Sequence, residues 1–305
     1  MSGPSSSTGP TAAWLVGRDG ISRRLHLQHG PIDLVIEAFG TQPDVARAYD
    51  QAVARFQDIL ETLAGELDDL RRPLGPAHPL FRGPVARRMA AACWPYRTVF
   101  ITPMAAVAGA VADEVLAAML AGVQLAKAYV NNGGDIAFHL SGQETLRAAV
   151  VCNPDLPHLD AIATLNAAQP SCGIATSGWR GRSFSLGIAD AVTVLAETAA
   201  QADAAATIIA NAVTVEHEMI RRQPAHSLRD DSDLGALPVT VSVGTLPIFA
   251  INEALSAGAA RAQDLRRSGL IQAAFLSLQG ETRTVGGEVL LASAQQAPQD
   301  MKVSG

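Results

Sequence analysis

The chain has 305 residues, with 23 Lys+Arg against 29 Asp+Glu for a formal charge of -6, and is 48% hydrophobic but only 17% charged. That balance excludes a disordered chain and is enough for one large domain or two fused ones around a continuous core. The acidic excess argues against a protein that tracks nucleic-acid phosphates on a basic face. Three scattered cysteines, Cys93, Cys152 and Cys172, exclude a disulfide framework and point to a reducing, cytoplasmic setting.

Residues 1–11 are rich in Ser, Gly and Pro, with no basic or apolar region of a secretory signal, and read as a disordered tail. Ala12–Val16, Ser22–Leu27 and Ile32–Phe39 read as strands separated by the turns Asp19-Gly20 and Gly30-Pro31. Pro43 opens a helical pattern, with Val45, Tyr49, Ala52, Phe56, Ile59, Leu60 and Leu63 at spacings of three and four, that runs down to Arg71-Arg72. A Pro/Gly-rich loop (73–84) and a basic helical turn at Val85–Ala92 follow. Tyr96–Ile101 reads as a strand, and Thr102-Pro103 as the start of an Ala-rich helix reaching Ala121.

The apolar run Thr98–Ala126 is interrupted by Asp113 and Glu114, each costing about 2.5–3.5 kcal/mol at the centre of a membrane. No membrane association is expected.

Leu125–Val130 and Ile136–Leu140 flank Asn131-Asn132-Gly133-Gly134-Asp135 as a hairpin-like pair. Further strands are predicted at Leu146–Cys152, Ala161–Ala167, Cys172–Thr176 and Ala191–Ala196. A second Ala-rich helix spans Thr198–Thr214, followed by a polar stretch in which Glu216-His217-Glu218 reads as a solvated helix end. A third helix at Asn252–Arg267 and strands at Leu270–Leu278 and Val285–Leu291 close the chain, with a frayed end over 293–305. Strands and helices alternate in mixed blocks, which predicts an α+β fold with antiparallel sheets.

Three segments can carry chemistry. In the Asn132, Gly133, Gly134, Asp135 turn, paired glycines let backbone approach a ligand beside a carboxylate; the same residues also make an ordinary hairpin turn. Thr176, Ser177, Gly178, Trp179, Arg180, Gly181 and Arg182 follow a strand with two hydroxyls, a flexible glycine and two guanidiniums suited to phosphate oxygens and a Trp179 ring suited to stacking, or form a plain surface loop. Asp203, Thr207 and Asn211 share one helix stripe. A carboxylate and a hydroxyl one turn apart suit a hard cation such as Mg²⁺, although Thr207 can instead bond back to a helix carbonyl.

Taken in order, these segments resemble the ApbE-like superfamily of flavin transferases. Ala106–Asp113 with Tyr129–Ile136 is similar to the family's helix leading into a strand and Gly-Gly-Asp turn. Ala175–Gly178 is similar to its Thr-Ser-Gly turn, and Val192-Thr193-Val194 with Ala202-Asp203 and Thr207 to its strand and metal-binding helix. The Ile174–Ala196 run resembles more closely the UPF0280 branch.

The resemblance implies a tandem T-fold-like architecture: one domain over residues 12–292, in two halves. FAD or a related nucleotide would bind in a cleft where the three segments meet, with Mg²⁺ held by Asp203, Thr207 and a carbonyl near Val107. Two departures stand out. The family's lysine is Ala108, and its histidine-bearing segment is replaced by Phe184–Asp190. Loss of an acid or base costs about 10²–10⁴ in rate, so ligand binding without efficient flavin transfer is expected. The alternatives are a Mg-dependent FAD hydrolase or transferase with Asp190 as base, and, from the resemblance to the UPF0280 branch, some of whose members are linked to sulfur insertion in homocysteine formation, an accessory factor in that insertion with Cys172 or Cys152 as carrier. The expected partners are a small nucleotide and, by default, a second copy in a homodimer.

Overall fold

The computed structural model describes residues 9–16, 23–150, 161–286 and 291–293. The Asp19-Gly20 turn, Cys152, most of the N-terminal tail and residues 294–305 lie outside them. The chain divides into two compact units, the first comprising residues 1–144 with 198–200, the second 145–197 with 201–305. Among the described residues no helix is long and apolar enough to cross a membrane.

In the first unit, β1 (Thr11–Val16), β2 (Arg23–His29), β3 (Ile32–Gly40), β4 (Leu125–Asn132) and β5 (Asp135–Leu140) pair antiparallel in that order. Strand residues alternate between faces, so Ile32, Leu34, Ile36 and Ala38 of β3 are all buried while Asp33, Val35 and Glu37 are only partly so. The buried face receives α1 (Gln42–Phe56), which meets β3, and α5 (Val107–Met119), which meets β4 and β5.

The long helix expected to reach Arg71-Arg72 is instead three: α1, α2 (Ile59–Ala64) and α3 (Leu67–Leu70). The backbone leaves the helical region at Asp58 (φ -115°, ψ 4°) and Glu66 (φ -117°, ψ 9°). Ile59, Leu63 and Leu70 stay buried through the breaks, which is why the apolar spacing reads as continuous. The second break frees the Glu66 carboxylate to accept from Arg82 N at 2.6 Å and Gly83 N at 2.9 Å. It thereby serves the start of α4 (Pro84–Cys93), a full helix where only a turn was predicted.

The strand expected at Tyr96–Ile101 is absent. Trp94–Tyr96 forms a 3₁₀ turn around Pro95, and Arg97 N and Val99 N bond back to Trp94 O and Tyr96 O. Proline fixes φ and offers no donor for a sheet. A second 3₁₀ turn, Pro103–Ala106, leads into α5.

Both acids that interrupt the apolar run have structural work. Glu114, its side chain 13% exposed, accepts from Arg55 Nε at 2.9 Å and Arg88 Nε at 2.8 Å. Asp113 accepts from Ala199 N at 3.0 Å and Ala200 N at 2.9 Å, taking two of the unpaired amides that open α6 (Ala199–Ala212).

The second unit holds β6 (Thr145–Val150), β7 (Ala161–Asn166), β8 (Gly173–Ser177), β9 (Ala191–Ala196), β10 (Ile220–Pro224), α7 (Ala225–Leu228), β11 (Pro238–Val243), α8 (Ile248–Arg267), β12 (Ala273–Leu278), β13 (Glu281–Val285) and β14 (Leu291–Ser293). Strands β8, β9, β12 and β13 pair antiparallel in that order; β14-β7-β6 and β10-β11 form two smaller antiparallel sheets. Every residue of β9 and β12 is buried. Helix α8 covers β12 and β13; a Cβ on its Gly258 would lie 2.3 Å from Val213 Cγ2, so only glycine fits there.

Glu216–Glu218 is not a helix end but the turn before the β10–β11 hairpin. The strand expected at Val285–Leu291 lies largely outside the described residues (287–290); β13 precedes it, because Gln279 (φ 48°) and Gly280 (φ 87°) form a tight turn immediately after β12. Antiparallel pairing with packed helices, the predicted α+β class, is what both units show.

Candidate functional site

The Asn131–Asp135 segment belongs to the first unit. Asn132 pairs with Asp135 across a two-residue turn in which Gly133 (φ 62°) and Gly134 (φ 114°) take conformations that favour glycine. Gly134 N donates to Asn131 Oδ1 at 2.8 Å. Asn132, only 5% exposed, donates through Nδ2 to Ala108 O at 3.0 Å, tying the hairpin to the first turn of α5. Asp135 is also buried, at the first position of β5.

The Thr176–Arg180 segment leaves β8 in the second unit. Thr176 lies opposite Thr193 of β9, their hydroxyls 2.8 Å apart. At Gly178 a Cβ would stand 2.4 Å from Asp190 O, so the glycine is required by close backbone approach. Asp190 is the hub of this segment. Its Oδ1 accepts from Arg180 Nε at 2.8 Å and Trp179 Nε1 at 3.2 Å, and its Oδ2 from Gln279 N at 2.6 Å. With its side chain 11% exposed and three donors on its two oxygens, Asp190 is built to hold the Trp179–Arg180 loop against the end of β12. That engagement weighs against the base role expected of it, since a base needs an oxygen open to the substrate's proton. The Arg180 guanidinium lies over the Trp179 ring, 4.6 Å from its centroid.

On α6, Ala202, Ala204, Ala205, Ala206, Ile208, Ile209 and Ala210 are buried, whereas Asp203, Thr207 and Asn211 keep partial exposure. The stripe read from the sequence is therefore real, and its three members do different things. Asn211 Oδ1 accepts from Leu186 N at 2.9 Å and Ser185 Oγ at 3.3 Å, pinning the Phe184–Asp190 segment. Thr240 Oγ1 donates to Gly187 O at 2.8 Å and Ile188 N to Val213 O at 2.8 Å, completing the latch. Asp203 and Thr207, one turn apart, supply a carboxylate and a hydroxyl. These are hard oxygen donors of the kind a divalent cation takes, two of the six Mg²⁺ requires. Among the described residues no group of three or more His, Cys, Asp and Glu is placed to hold a metal, so any cation here draws its remaining oxygens from carbonyls, water or a ligand.

The cysteines separate by burial. Cys93 is buried, its Sγ 3.9 Å from Pro103 O, and Cys172 is exposed. The roles of Asn211, Asp190 and Asn132 as clamps carry no local sequence signal, because each partner is 10 or more residues away.

The family described as AbpE bacteria matches residues 13–284. A UPF0280 protein of Methanothrix thermoacetophila is 37% identical over 180 residues, covering 53% of this chain and 73% of that protein. UPF0280 proteins of Methanopyrus kandleri (34% over 148 residues) and Methanosphaerula palustris (39% over 144 residues) align over 48% and 46% of this chain and 56% of their own lengths. The match thus spans little more than half of those two relatives. Among solved structures, the apo form of Pseudomonas stutzeri flavinyl transferase ApbE matches with a TM-score of 0.41 and 13% identity, over 94% of this chain and 95% of that one. A mutant flavin transferase ApbE from Vibrio cholerae matches with a TM-score of 0.40 and 11% identity, over 91% and 97%. By the reach of the family match and by its identity to the Methanothrix protein, the chain belongs to the AbpE bacteria family and to its UPF0280 relatives.

Proposed function

We propose that the protein binds the pyrophosphate of FAD or a related nucleotide, with Mg²⁺ held through Asp203 and Thr207, in a cytoplasmic setting. The observation that carries this reading is the pair itself: a carboxylate and a hydroxyl, both partly exposed, on a helix whose other faces are closed by buried alanine and isoleucine, in a chain of a family whose resemblance implies flavin chemistry. The cation, when bound, supplies neutralisation of pyrophosphate charge. The chain's own residues do the rest. Ser177 offers a hydroxyl and Arg180 a guanidinium whose position Asp190 and Trp179 fix. On the resemblance alone, Thr176 and Gly178 are further contributors.

Binding without efficient transfer is the form of the activity. The segment standing where the transferases carry a histidine has none between Phe184 and Asp190, and the three donors on Asp190 leave it a holding role. Calorimetry with FAD, FMN and ADP, with and without Mg²⁺, tests the reading. Saturable binding strengthened by Mg²⁺ and weakened in Asp203→Ala supports it; no binding by any of the three overturns it.

A further inference from the structure

Within the second unit, a cavity of about 410 Å³ lies at the start of β8 and β12, where they meet the C-terminal turn of α8. Its volume falls in the range of small-molecule sites, about 300–1,000 Å³. Gln169, Ser171, Arg266, Arg267, Ile271 and Gln272 line it, and what these residues offer is one-sided.

Gln169 Oε1 is occupied by Asn166 N at 3.0 Å, and Gln272 Oε1 is the acceptor that faces Ser171 Oγ at 3.5 Å. Each amide therefore has its NH₂ left to give. Arg267 is paired with Asp264 through one Nη only, and among the described residues Arg266 makes no ion pair. Among the described residues no carboxylate lines the cavity. Ile271, buried, and Pro170 add an apolar wall. The complementary ligand is an anion carrying an uncharged body.

The cavity is separate from the candidate nucleotide site. Ser171 precedes β8 and Ser177 ends it, while Gln272 precedes β12 and Gln279, which bonds Asp190, follows it. At about 3.3 Å per residue the two ends of this sheet stand on the order of 20 Å apart. The place of two arginines in the last turn of α8 has a structural use as well, complementing the helix dipole. That use does not account for two glutamine side chains lining the same cavity.

We propose that this cavity is a second binding site, for a phosphate monoester. Two guanidiniums match the two charges such a group carries above its second pKa of about 6, and the planar forks pair with its oxygens.

The test is calorimetry of the full chain with phenyl phosphate, with benzoate as the carboxylate counterpart and inorganic phosphate as the bare anion. Phenyl phosphate is expected to bind saturably, more tightly than either, and to weaken as pH falls from about 7.5 to about 5 as it loses its second charge. Arg266→Gln and Arg267→Gln are each expected to weaken it roughly tenfold, the loss of one charge-assisted contact. Both are exposed side chains, and an unchanged melting curve confirms that the variants fold. FAD binding is expected to be unaffected by either substitution, and phenyl phosphate binding unaffected by Asp203→Ala, so the two sites stand or fall separately. Absence of saturable phenyl phosphate binding, or binding indifferent to both arginine substitutions, overturns the proposal.

Discussion

Arg180 Nε donates to Asp190 Oδ1 at 2.8 Å, on the same carboxylate that receives Trp179 Nε1 and Gln279 N. A guanidinium that the sequence offers to a phosphate is thus already oriented by an internal acid, and the loop that bears it is bonded to the end of a fully buried strand. Preorganisation of this kind lowers the entropy lost on binding.

Asp190→Ala strips the acceptor from three donors at once. Breaking such a nearly buried, hydrogen-bonded pair costs about 2–4 kcal/mol, discounted from the fully buried case because Arg180 keeps 30% of its surface. Urea denaturation reads the loss directly, and calorimetry is expected to show weaker nucleotide binding in the folded fraction. Asp190→Asn, which retains an acceptor, is expected to recover part of both.

Asp203→Ala and Thr207→Val separate binding from stability. Both side chains are partly exposed, so the melting temperature is expected to move little, whereas the Mg²⁺-dependent part of nucleotide binding falls about tenfold or more as an oxygen ligand is lost. Titration of FAD at fixed Mg²⁺ checks this. A large stability loss with unchanged binding would assign the pair to the fold instead.

Glu114 gives the protein an acid-sensitive joint. Burial alone would raise its pKa, but hydrogen bonds from Arg88 and Arg55 outweigh burial and hold it below the ordinary value of 4.5. A carboxyl depressed in the folded state adds stability above its unfolded pKa, and that stability is lost as pH falls through the folded value. Asp113 runs the other way. Burial raises it despite the amides of Ala200 and Ala199, so its contribution favours the fold at low pH and fades as pH rises. Denaturation midpoints of wild type and Glu114→Gln between pH 3 and 7 are expected to converge toward the acid end (about pH 3–4), with the variant weaker by about 2–3 kcal/mol at neutrality.

Glycine substitutions sort conformation from space. Gly178→Ala sets a methyl 2.4 Å from Asp190 O, and backbone must move; a cost of about 2 kcal/mol or more is expected. Gly134→Ala meets nothing within 4 Å but is held at φ 114°, so its cost, about 1 kcal/mol or somewhat more, is purely conformational. Thermal melts of the two variants check the order.

Much of this fold is legible from alternation and spacing. Ile32, Leu34 and Ile36 announce β3, and the Asn-Gly-Gly-Asp run announces the β4–β5 turn. What is not legible depends on partners distant in sequence. The apolar spacing through Phe56, Ile59 and Leu63 survives the break at Asp58 because the same residues remain buried, and only Glu66 reaching Arg82 and Gly83 reveals why the chain turns again. Tyr96–Ile101 has strand-like composition, yet Pro95 sets a turn before it. Ile220–Pro224 looks polar because Arg221 and Arg222 sit on a two-stranded ribbon where half the surface is wet. At the site, the stripe of Asp203, Thr207 and Asn211 is visible from helical periodicity, but the assignment of Asn211 to a latch requires Leu186, 25 residues away. The engagement of Asp190 requires Gln279, 89 residues away.

At Gly187 a Cβ would fall 2.0 Å from Ala210 O and 2.8 Å from Val213 O. The Phe184–Asp190 segment is thus moulded onto the end of α6 with no room for a side chain at its midpoint. Grafting a foreign loop with a side chain at this position would force the helix terminus to be redesigned with it. A change of shape in this part of the molecule therefore has to pass through a coordinated exchange of loop and helix rather than a single point change.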